Sequence, residues 1–490
     1  MRLSRRLQWW SVSPVANQAP VDLSVPRVIH LVGVGGAGIS AIGIILAAMG
    51  HQVTGSDVNE TGAWAKLTAA GVGLEVVPVG QLFAVAERHG AELVAYSTAF
   101  PPSAADQEAA HSAGRVLVNR AAILAAVCGT RRTVAVSGTH GKTSTTGLLA
   151  TLLELAGEDP SFLVGAVPVG LGDAARWGKA DGVFVVEADE SDGSFLELGA
   201  ATAVVTNVDE DHLDFWGSID HIESAFDRFL GAATNRIVCI DDPRADGVVD
   251  ERALRLAVAH DAVTVGESPQ ARYRIHHVEI DRLTTRFGLV VDGVEVGPVA
   301  IGTPGRHHAR NAAVALATAV GLGVSVERGI EALAGYTGAA RRFELVGEAG
   351  GVTVVDDYAH NPGKVRALIA SAQEAGWKRV MVIFQPHRYT RTRDQGADFG
   401  AALALADVVA ITGVYGAGEA PIPGMSGRTL VGAVLDRRPW AEVVWVPTLD
   451  DAAAWAAQAL RPGDLCLTVG AGDISGLGPR LLAAREARTQ

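Results

Sequence analysis

Residues 133–153 constrain this chain more tightly than any other stretch. Thr133-Val134-Ala135-Val136-Ser137 is an apolar, β-forming run, and Gly138-Thr139-His140-Gly141-Lys142-Thr143-Ser144 follows it directly. Helix formers then run through Gly147-Leu148-Leu149-Ala150-Thr151-Leu152-Leu153. A strand, a glycine loop and a helix opening at Lys-Thr make a cradle for phosphate. The loop amides and the helix N-terminus face the anion, the lysine adds a point charge, and the threonine hydroxyl can hold Mg²⁺. The loop is a variant of the G-x-x-x-x-G-K-[ST] spacing, because Val136 stands in the first glycine position. The chain has only five lysines, at 66, 142, 179, 364 and 378, so a lysine at the loop is not a product of composition. The bland alternative is a glycine turn with an incidental lysine, and the strand–loop–helix context weighs against it. A nucleotide-phosphate site is the expectation.

The same device occurs earlier. Val28-Ile29-His30-Leu31-Val32 reads as a buried strand, followed by Gly33-Val34-Gly35-Gly36-Ala37-Gly38, an apolar helix from Ile39 to Met49, and a second strand ending at Asp57. This is a βαβ unit with the G-x-G-x-x-G pattern and an acid after its second strand. Taken from the residues alone, the leading reading of 28–57 is a dinucleotide site, which would make the chain an NAD(P)-dependent oxidoreductase.

At 490 residues the chain is too long for a single core. Strand and helix patterns alternate in three blocks, which implies doubly wound parallel sheets. The expected fold is α/β with a Rossmann-like N-terminal domain, a central P-loop ATPase-type parallel-sheet domain and a C-terminal Rossmann-like domain. The boundaries read 1–26 (a flexible leader), 27–127, 128–338 and 339–490. Residues 270–300 alternate polar and apolar and read as a small antiparallel insert.

A net charge of −13 argues against non-specific nucleic-acid or membrane binding, although local glycine loops can still take anions. No run reaches the roughly 18 apolar residues of a membrane span. Cys128, Cys239 and Cys466 are far apart and lie in or beside apolar runs, as free thiols of a reducing compartment do. A cytoplasmic protein is expected.

Around the phosphate loop, two apolar strands end in polar clusters: Glu187-Ala188-Asp189-Glu190-Ser191-Asp192, and Asp211-His212 beyond Asn207. A carboxylate and an imidazole at neighbouring strand tips suit a Mg²⁺-nucleotide site. Such clusters are more often solvated loops, but here the pattern occurs twice in one block. Asn311, near the start of a helix expected over Ala312–Val320, is equally a cap or a reader of an adenine edge. Downstream, Arg388 and Arg391 follow an apolar strand and suit a carboxylate or phosphate held bidentately, or a salt-bridged surface.

Eight ordered motifs run from about Val28 to Leu482: Gly-Gly-Ala-Gly-Ile-Ser (35–40), Gly-Thr-His-Gly-Lys-Thr (138–143), Glu-Ala-Asp-Glu-Ser-Asp (187–192), Thr-Asn-Val-Asp-Glu-Asp-His (206–212), Pro-Gly-Arg-His (304–307), Arg-Arg-Phe-Glu (341–344), Asp-Asp-Tyr-Ala-His (356–360) and Phe-Gln-Pro-His-Arg-Tyr-Thr-Arg-Thr-Arg (384–393). Together they resemble the Mur ligase family. The resemblance implies an ATP-dependent amide ligase of peptidoglycan precursor synthesis. The carboxylate of UDP-N-acetylmuramate takes the γ-phosphate of ATP, and L-alanine displaces phosphate from the acyl phosphate.

On that resemblance Gly138, Thr139, His140, Gly141, Lys142, Thr143, Ser144, Asn311, Arg342 and Asp357 serve ATP. Thr143, Glu187 and His212 serve Mg²⁺, and Lys142, Glu187, His212, Arg342 and Asp357 carry the catalysis. Gly36, Gly38, Ser40, Asp57, Ser97, Arg120 and Ser191 serve the UDP substrate. Tyr358, His360, His387, Arg388 and Arg391 surround the amino acid. A monomer or homodimer is expected. The chain departs from the family pattern at His308, where an asparagine is usual, and at Asn361, where a second histidine is common. It also has no lysine between Leu213 and Ile240, so the carbamylated-lysine bridge of some sister ligases cannot form there. The nearest rival is the sister ligase that re-attaches a recycled tripeptide to the same acceptor. That enzyme resembles Phe-Glu-Pro-Arg-Ser-Asn-Thr where this chain has Phe384-Gln385-Pro386-His387-Arg388-Tyr389-Thr390. A non-catalytic UDP-sugar or dinucleotide sensor would have no use for Lys142, Glu187 and His212 together.

Overall fold

A computed structural model describes residues 21–489. The chain divides into two compact units, one of residues up to 274 with 290–294 and 311–332, the other of 275–289, 295–310 and 333 onward.

The first unit opens with a five-stranded parallel sheet of β1 (Val28–Val32), β2 (Gln52–Asp57), β3 (Gly73–Val76), β4 (Leu93–Tyr96) and β5 (Val116–Asn119), in the order β3-β2-β1-β4-β5. The chain leaves β1 toward β2 and leaves β4 toward β5. The loops after β1 and β4 therefore part at the carboxyl end of the sheet, opening the crevice in which such folds bind ligands. Helix Ala37–Ala48 buries Ile39, Ile42, Ile45 and Leu46, a helical repeat that shares one core with Ile29 and Leu31 of β1.

The second sheet has ten strands: β6 (Thr133–Ser137), β7 (Ser161–Leu163), β8 (Ala175–Arg176), β9 (Phe184–Glu187), β10 (Thr202–Val205), β11 (Asn235–Cys239), β12 (Val263–Gly266), β13 (Tyr273–Asp281), β14 (Thr284–Val291) and β15 (Val294–Ile301). Their order is β15-β14-β13-β12-β11-β10-β6-β9-β7-β8. β6 lies between β10 and β9 and is parallel to both. The carboxyl ends of all three strands therefore point the same way, and that register sets the phosphate loop beside residues 187–192 and 206–212. The insert expected over 270–300 is β13–β15, joined by two-residue turns. Asp292 (φ 50°) and Gly293 (φ 82°) take the left-handed conformation that tight hairpin turns require. The chain passes from the first unit into the second within β13.

The second unit carries β16 (Glu344–Ala349), β17 (Val352–Asp357), β18 (Arg379–Phe384), β19 (Val408–Ile411), β20 (Glu442–Trp445) and β21 (Asp464–Val469), ordered β16-β17-β21-β18-β19-β20. All neighbours are parallel except β16, which runs antiparallel to β17. Val355, Val382, Phe384 and Leu467 pack on one face, while Val354, Met381, Ile383 and Cys466 pack on the other. Burial on both faces explains why these strands read as unbroken apolar runs.

Three expectations need correction. The leader does not extend to residue 26 as a loose segment: Leu23 is 5% exposed and belongs to the core, while residues 1–20 lie outside the described residues. The helix expected from Ala312 starts at Arg306, so Asn311 sits in its second turn and cannot be its cap. The edge strand β20 is missing from the expected strands although Glu442-Val443-Val444-Trp445 is a β-forming run. Among the described residues no helix is long and apolar enough to cross a membrane.

Candidate functional site

The phosphate loop is gripped from the neighbouring strand. Thr206 Oγ1 donates to the carbonyls of His140 and Ser137, and Asn207 pairs with both the N–H and the C=O of His140. Thr139 exchanges hydrogen bonds with Asp209 through its hydroxyl. Gly138 has φ 129°, and a Cβ there would fall 2.1 Å from Thr206 Oγ1, so no other residue fits. Thr206, Asn207 and Asp209 had been given no role from the sequence. Their partners lie 66–70 residues away, too far for any local pattern to report.

Helix Lys142–Leu155 starts at the loop, with Gly141 (φ 83°) as its N-cap. Lys142 Nζ donates to the Gly138 carbonyl at 2.9 Å and lies 2.6 Å from Glu190 Oε2. Thr143 Oγ1 donates to Glu187 Oε1 at 2.9 Å, and the Gly165 N–H donates to Glu187 Oε2 at 2.7 Å. Ser144 is buried within the same first turn. His212 takes a left-handed conformation (φ 50°), which is strained for a non-glycine residue. Its Nε2 lies 3.9 Å from Asp211 and 4.0 Å from Glu190. Glu190 is buried, and burial pushes its carboxyl above the usual range while the Lys142 charge pulls it back. Asn311 faces this loop, since a Cβ on Gly141 would lie 2.8 Å from its Oδ1. Lys142, Thr143, Glu187, His212 and Asn311 are therefore gathered in one unit.

The loop of the first sheet is built differently. Gly36 caps helix Ala37–Ala48 without a side-chain bond. The guanidinium of Arg120 stands over the first turn, where a Cβ on Gly38 would lie 3.1 Å from it. Ser97, at the end of β4, lies against Gly33 across the crevice. Ser40 Oγ donates to the Ala37 carbonyl. Asp57 meets the loop from the end of β2: Oδ2 accepts from the Gly35 N–H at 2.8 Å and Oδ1 from the Val58 N–H at 2.7 Å. Oδ2 braces the loop, because a sharp turn brings Gly35 over the end of β2. Ser191 is not on this sheet. It follows Glu190 and donates its N–H to Asp189. A cavity of about 280 Å³ adjoins the loop, lined by Gly35, Ser40, Thr61, Lys66 and Asp173.

In the second unit Tyr358, His360, His387 and Tyr415 form a run of rings with centroids 5.0 to 5.8 Å apart. Tyr415 had been overlooked, because it reaches His387 from the loop after β19. Burial lowers His360 to about 4, and burial with the nearby Arg391 and Arg388 charges lowers His387. Both rings are therefore neutral at pH 7. Arg391 Nη1 lies 3.2 Å from His387 Nδ1. Asp394, the acid that might have taken these arginines, pairs instead with Arg393. Arg388 and Arg391 make no ion pair among the described residues. Arg342 lies over the Tyr358 ring at 5.4 Å. Asp357 is engaged like Asp57: its oxygens accept from the Phe343 and Ala359 amides, and burial raises its carboxyl. Its oxygens pin the Phe343 turn. His308, at the unusual position, is buried and held neutral by desolvation. A cavity of about 420 Å³ in this unit is lined by Gln385, Thr412, Tyr415, Asp473 and Arg480 at the end of the sheet.

Residues 28–132 match the Mur ligase catalytic domain, 136–319 the Mur ligase middle domain, and 341–472 the Mur ligase glutamate ligase domain. The UDP-N-acetylmuramate–L-alanine ligase of Acidothermus cellulolyticus is 40% identical over 481 residues, covering 97% of this chain and 98% of its own. That of Pelotomaculum thermopropionicum is 37% identical over 462 residues, covering 93% and 97%. The crystal structure of UDP-N-acetylmuramate-alanine ligase MurC from Thermotoga maritima superposes with a TM-score of 0.77 at 26% identity, covering 95% of this chain and all of the other. With three domain matches in order and relatives of this identity along nearly the whole length, the chain belongs to the Mur ligase family.

Proposed function

We propose that this chain is an ATP-dependent ligase that joins L-alanine to the lactyl carboxylate of UDP-N-acetylmuramate. The observation that carries the reading is the phosphate loop with Lys142 and Thr143 held against Glu190 and Glu187, in a chain whose full-length relatives bear that activity in their names. The lactyl carboxylate attacks the γ-phosphorus of ATP, forming an acyl phosphate and releasing ADP. The alanine amine then attacks the acyl carbon, loses a proton, and phosphate leaves. Lys142 and the loop amides neutralise charge on the transferring phosphoryl group. Asn311 serves the adenine, and Arg342 the nucleotide.

Thr143, Glu187 and His212 would hold Mg²⁺, which supplies charge neutralisation for phosphoryl transfer. Their fit is chemical: a hydroxyl and a carboxylate already in contact, with an imidazole at the next strand tip. Gly36, Gly38, Ser40, Ser97 and Arg120 receive the UDP diphosphate, with Asp57 bracing the loop. In the second unit Arg388 and Arg391, which make no close ion pair among the described residues although the Glu419 charge reaches both, take the alanine carboxylate bidentately. His360 and His387 are neutral at pH 7 and put no further positive charge beside these arginines, so the proton that the attacking amine sheds passes to solvent.

The domains of this reading are 27–127, 128–338 and 339–490. It carries with it a cytoplasmic protein, as a monomer or homodimer. A phosphate-release assay with UDP-N-acetylmuramate, ATP, Mg²⁺ and a panel of amino acids tests it. Release that requires all three substrates and is fastest with L-alanine supports the reading. Release that requires the recycled tripeptide instead would assign the sister activity.

A further inference from the structure

The short helix that carries Arg388 and Arg391 begins with residues unsuited to a helix start. Helix Tyr389–Asp394 has Arg388 as its N-cap, with no side-chain cap bond and no acid in its first turn. A guanidinium has no acceptor to offer the free N–H groups of a helix start, and its charge opposes the helix dipole. Arg388 is also held at φ 70°, a conformation strained for a non-glycine residue. Such a turn persists only where its surroundings fix it.

The loop after β19 does so. The Tyr415 N–H donates to the Pro386 carbonyl and the Arg388 N–H donates to the Tyr415 carbonyl, each at 2.8 Å. The Tyr389 ring lies on Gly416, where a Cβ would fall 3.3 Å from it. Glu419 then turns back, its N–H donating to the Gly416 carbonyl at 2.9 Å. Its carboxylate accepts twice from Thr390, Oε2 from the N–H at 3.1 Å and Oε1 from the hydroxyl at 2.7 Å. The acceptor that Arg388 cannot provide thus comes from a residue 29 positions away. Both Glu419 oxygens are spent on Thr390. Its charge reaches Arg388 and Arg391 without a close ion pair among the described residues, so the guanidinium donors stay open to a ligand.

Resting on the reading of Arg388 and Arg391 as holders of the amino-acid carboxylate, we propose that Glu419 is a positioning residue for that carboxylate. It caps helix Tyr389–Asp394 through Thr390 and so fixes both arginines in one orientation, while touching no substrate itself. Its loss loosens the amino-acid end of the site and leaves the nucleotide and UDP ends as they were.

Steady-state phosphate release by the full-length protein, with each substrate varied in turn, reads this. Glu419→Ala should raise the KM for L-alanine by roughly ten-fold, the usual cost of a lost helix cap. The KM values for ATP and UDP-N-acetylmuramate, and kcat at saturating L-alanine, should stay within about two-fold. Glu419→Gln can still accept from the Thr390 N–H and donate to its hydroxyl, so its KM for L-alanine should return to within about three-fold of wild type. Thr390→Ala should raise the same KM several-fold alone but by less than about two-fold when added to Glu419→Ala, because the two side chains act through one contact. An unchanged KM for L-alanine in Glu419→Ala, no rescue by Glu419→Gln, or independent effects of the two alanine variants would each overturn the proposal. A wild type whose phosphate release ignores L-alanine would overturn the reading of the site itself before any variant is compared, which keeps the two failures apart.

Discussion

The chain carries two glycine loops, each at the carboxyl end of a buried parallel strand and each opening a helix, yet their surroundings differ in kind. The loop after β6 is ringed by charge. Lys142 meets Glu190, Thr143 meets Glu187, and Thr206 and Asn207 grip its backbone. The loop after β1 has no lysine. It is braced from beneath by Asp57, and the cation over its helix start, Arg120, comes from the start of another helix. Backbone amides at a helix N-terminus are the same in both and will accept any diphosphate. What separates a phosphate that reacts from one that merely anchors is the side-chain shell. Reactive transfer needs mobile cations and hard oxygen ligands, whereas anchoring needs a fixed backbone and one planar cation.

The largest expected effect tests whether the two loops are independent. Lys142→Ala should lower turnover by on the order of a thousand-fold or more, since the lysine stabilises charge that exists only during transfer. Binding of UDP-N-acetylmuramate should stay within about two-fold. Calorimetry of the folded variant with each ligand measures both, and joint loss of the two would break the division of labour between the loops.

A smaller effect belongs to the other loop. Arg120→Ala should weaken UDP-N-acetylmuramate by roughly ten- to hundred-fold, the cost of one hydrogen bond to a charged group being about 1.5–3 kcal/mol. The KM for ATP should not move. A shift in the ATP value with an unchanged UDP-substrate value would exchange the roles assigned to the two loops.

Asp57→Asn sharpens the contrast further. The amide can still accept from one backbone N–H, but it turns its NH₂ toward the other, so one of the two braces at Gly35 and Val58 is lost. Roughly a ten-fold rise in the KM for the UDP substrate is expected, on about 1–3 kcal/mol for an unpaired buried donor. Neither variant nor wild type should bind NAD or NADP saturably in fluorescence titration. Tight dinucleotide binding would return the first loop to the oxidoreductase reading.

How much of this was legible in the sequence follows the range of each interaction. The strands β1, β6 and β9, both glycine loops, and the Lys142–Thr143 start of its helix are local patterns and stand where the residues put them. Glu187 and His212 also lie beside the loop as expected, because strand tips at one end of a parallel sheet are gathered by topology. What escaped depends on contacts made across many residues. Thr206 and Asn207 read as the fringe of a strand, yet they hold a loop 66–67 residues earlier. Glu190 looked like one more acid in a solvated run, and only the fold buries it against Lys142. Asp57 matched a fingerprint position but spends its oxygens on the backbone. The early residues of helix Arg306–Gly321 follow Pro304 and Gly305 and read as a turn, so the helix start was set several residues late.

The two strands leading into the loops also differ, and this gives the effect that is smallest at neutral pH. Beneath the second loop, β6 is apolar through Val134, Ala135 and Val136. Beneath the first, β1 carries His30, 0% exposed, with Nδ1 2.8 Å from Thr54 Oγ1 and Nε2 2.9 Å from Ser56 Oγ. Ser56 donates its own proton to the Leu82 carbonyl, so it accepts from His30 Nε2–H, and Nδ1 is left to accept from Thr54. That arrangement satisfies a neutral ring in a desolvated site. Burial accordingly lowers its pKa to about 4. An unfolded chain titrates near 6.5, so above that pH the residue contributes nothing to the pH dependence of stability. As pH falls from 6.5 toward 4 the unfolded state takes up a proton that the folded state refuses, and stability drops, levelling off below 4. The full span corresponds to at most about 3 kcal/mol. His30→Gln, which keeps a donor and an acceptor but cannot titrate in this range, should flatten the acid loss of amide protection in Val28–Val32. Hydrogen exchange between pH 7 and 4.5 reads it, with Thr133–Ser137 as the internal reference. An equal acid loss in wild type and variant would mean that other histidines govern it and that β1 is no more acid-sensitive than β6.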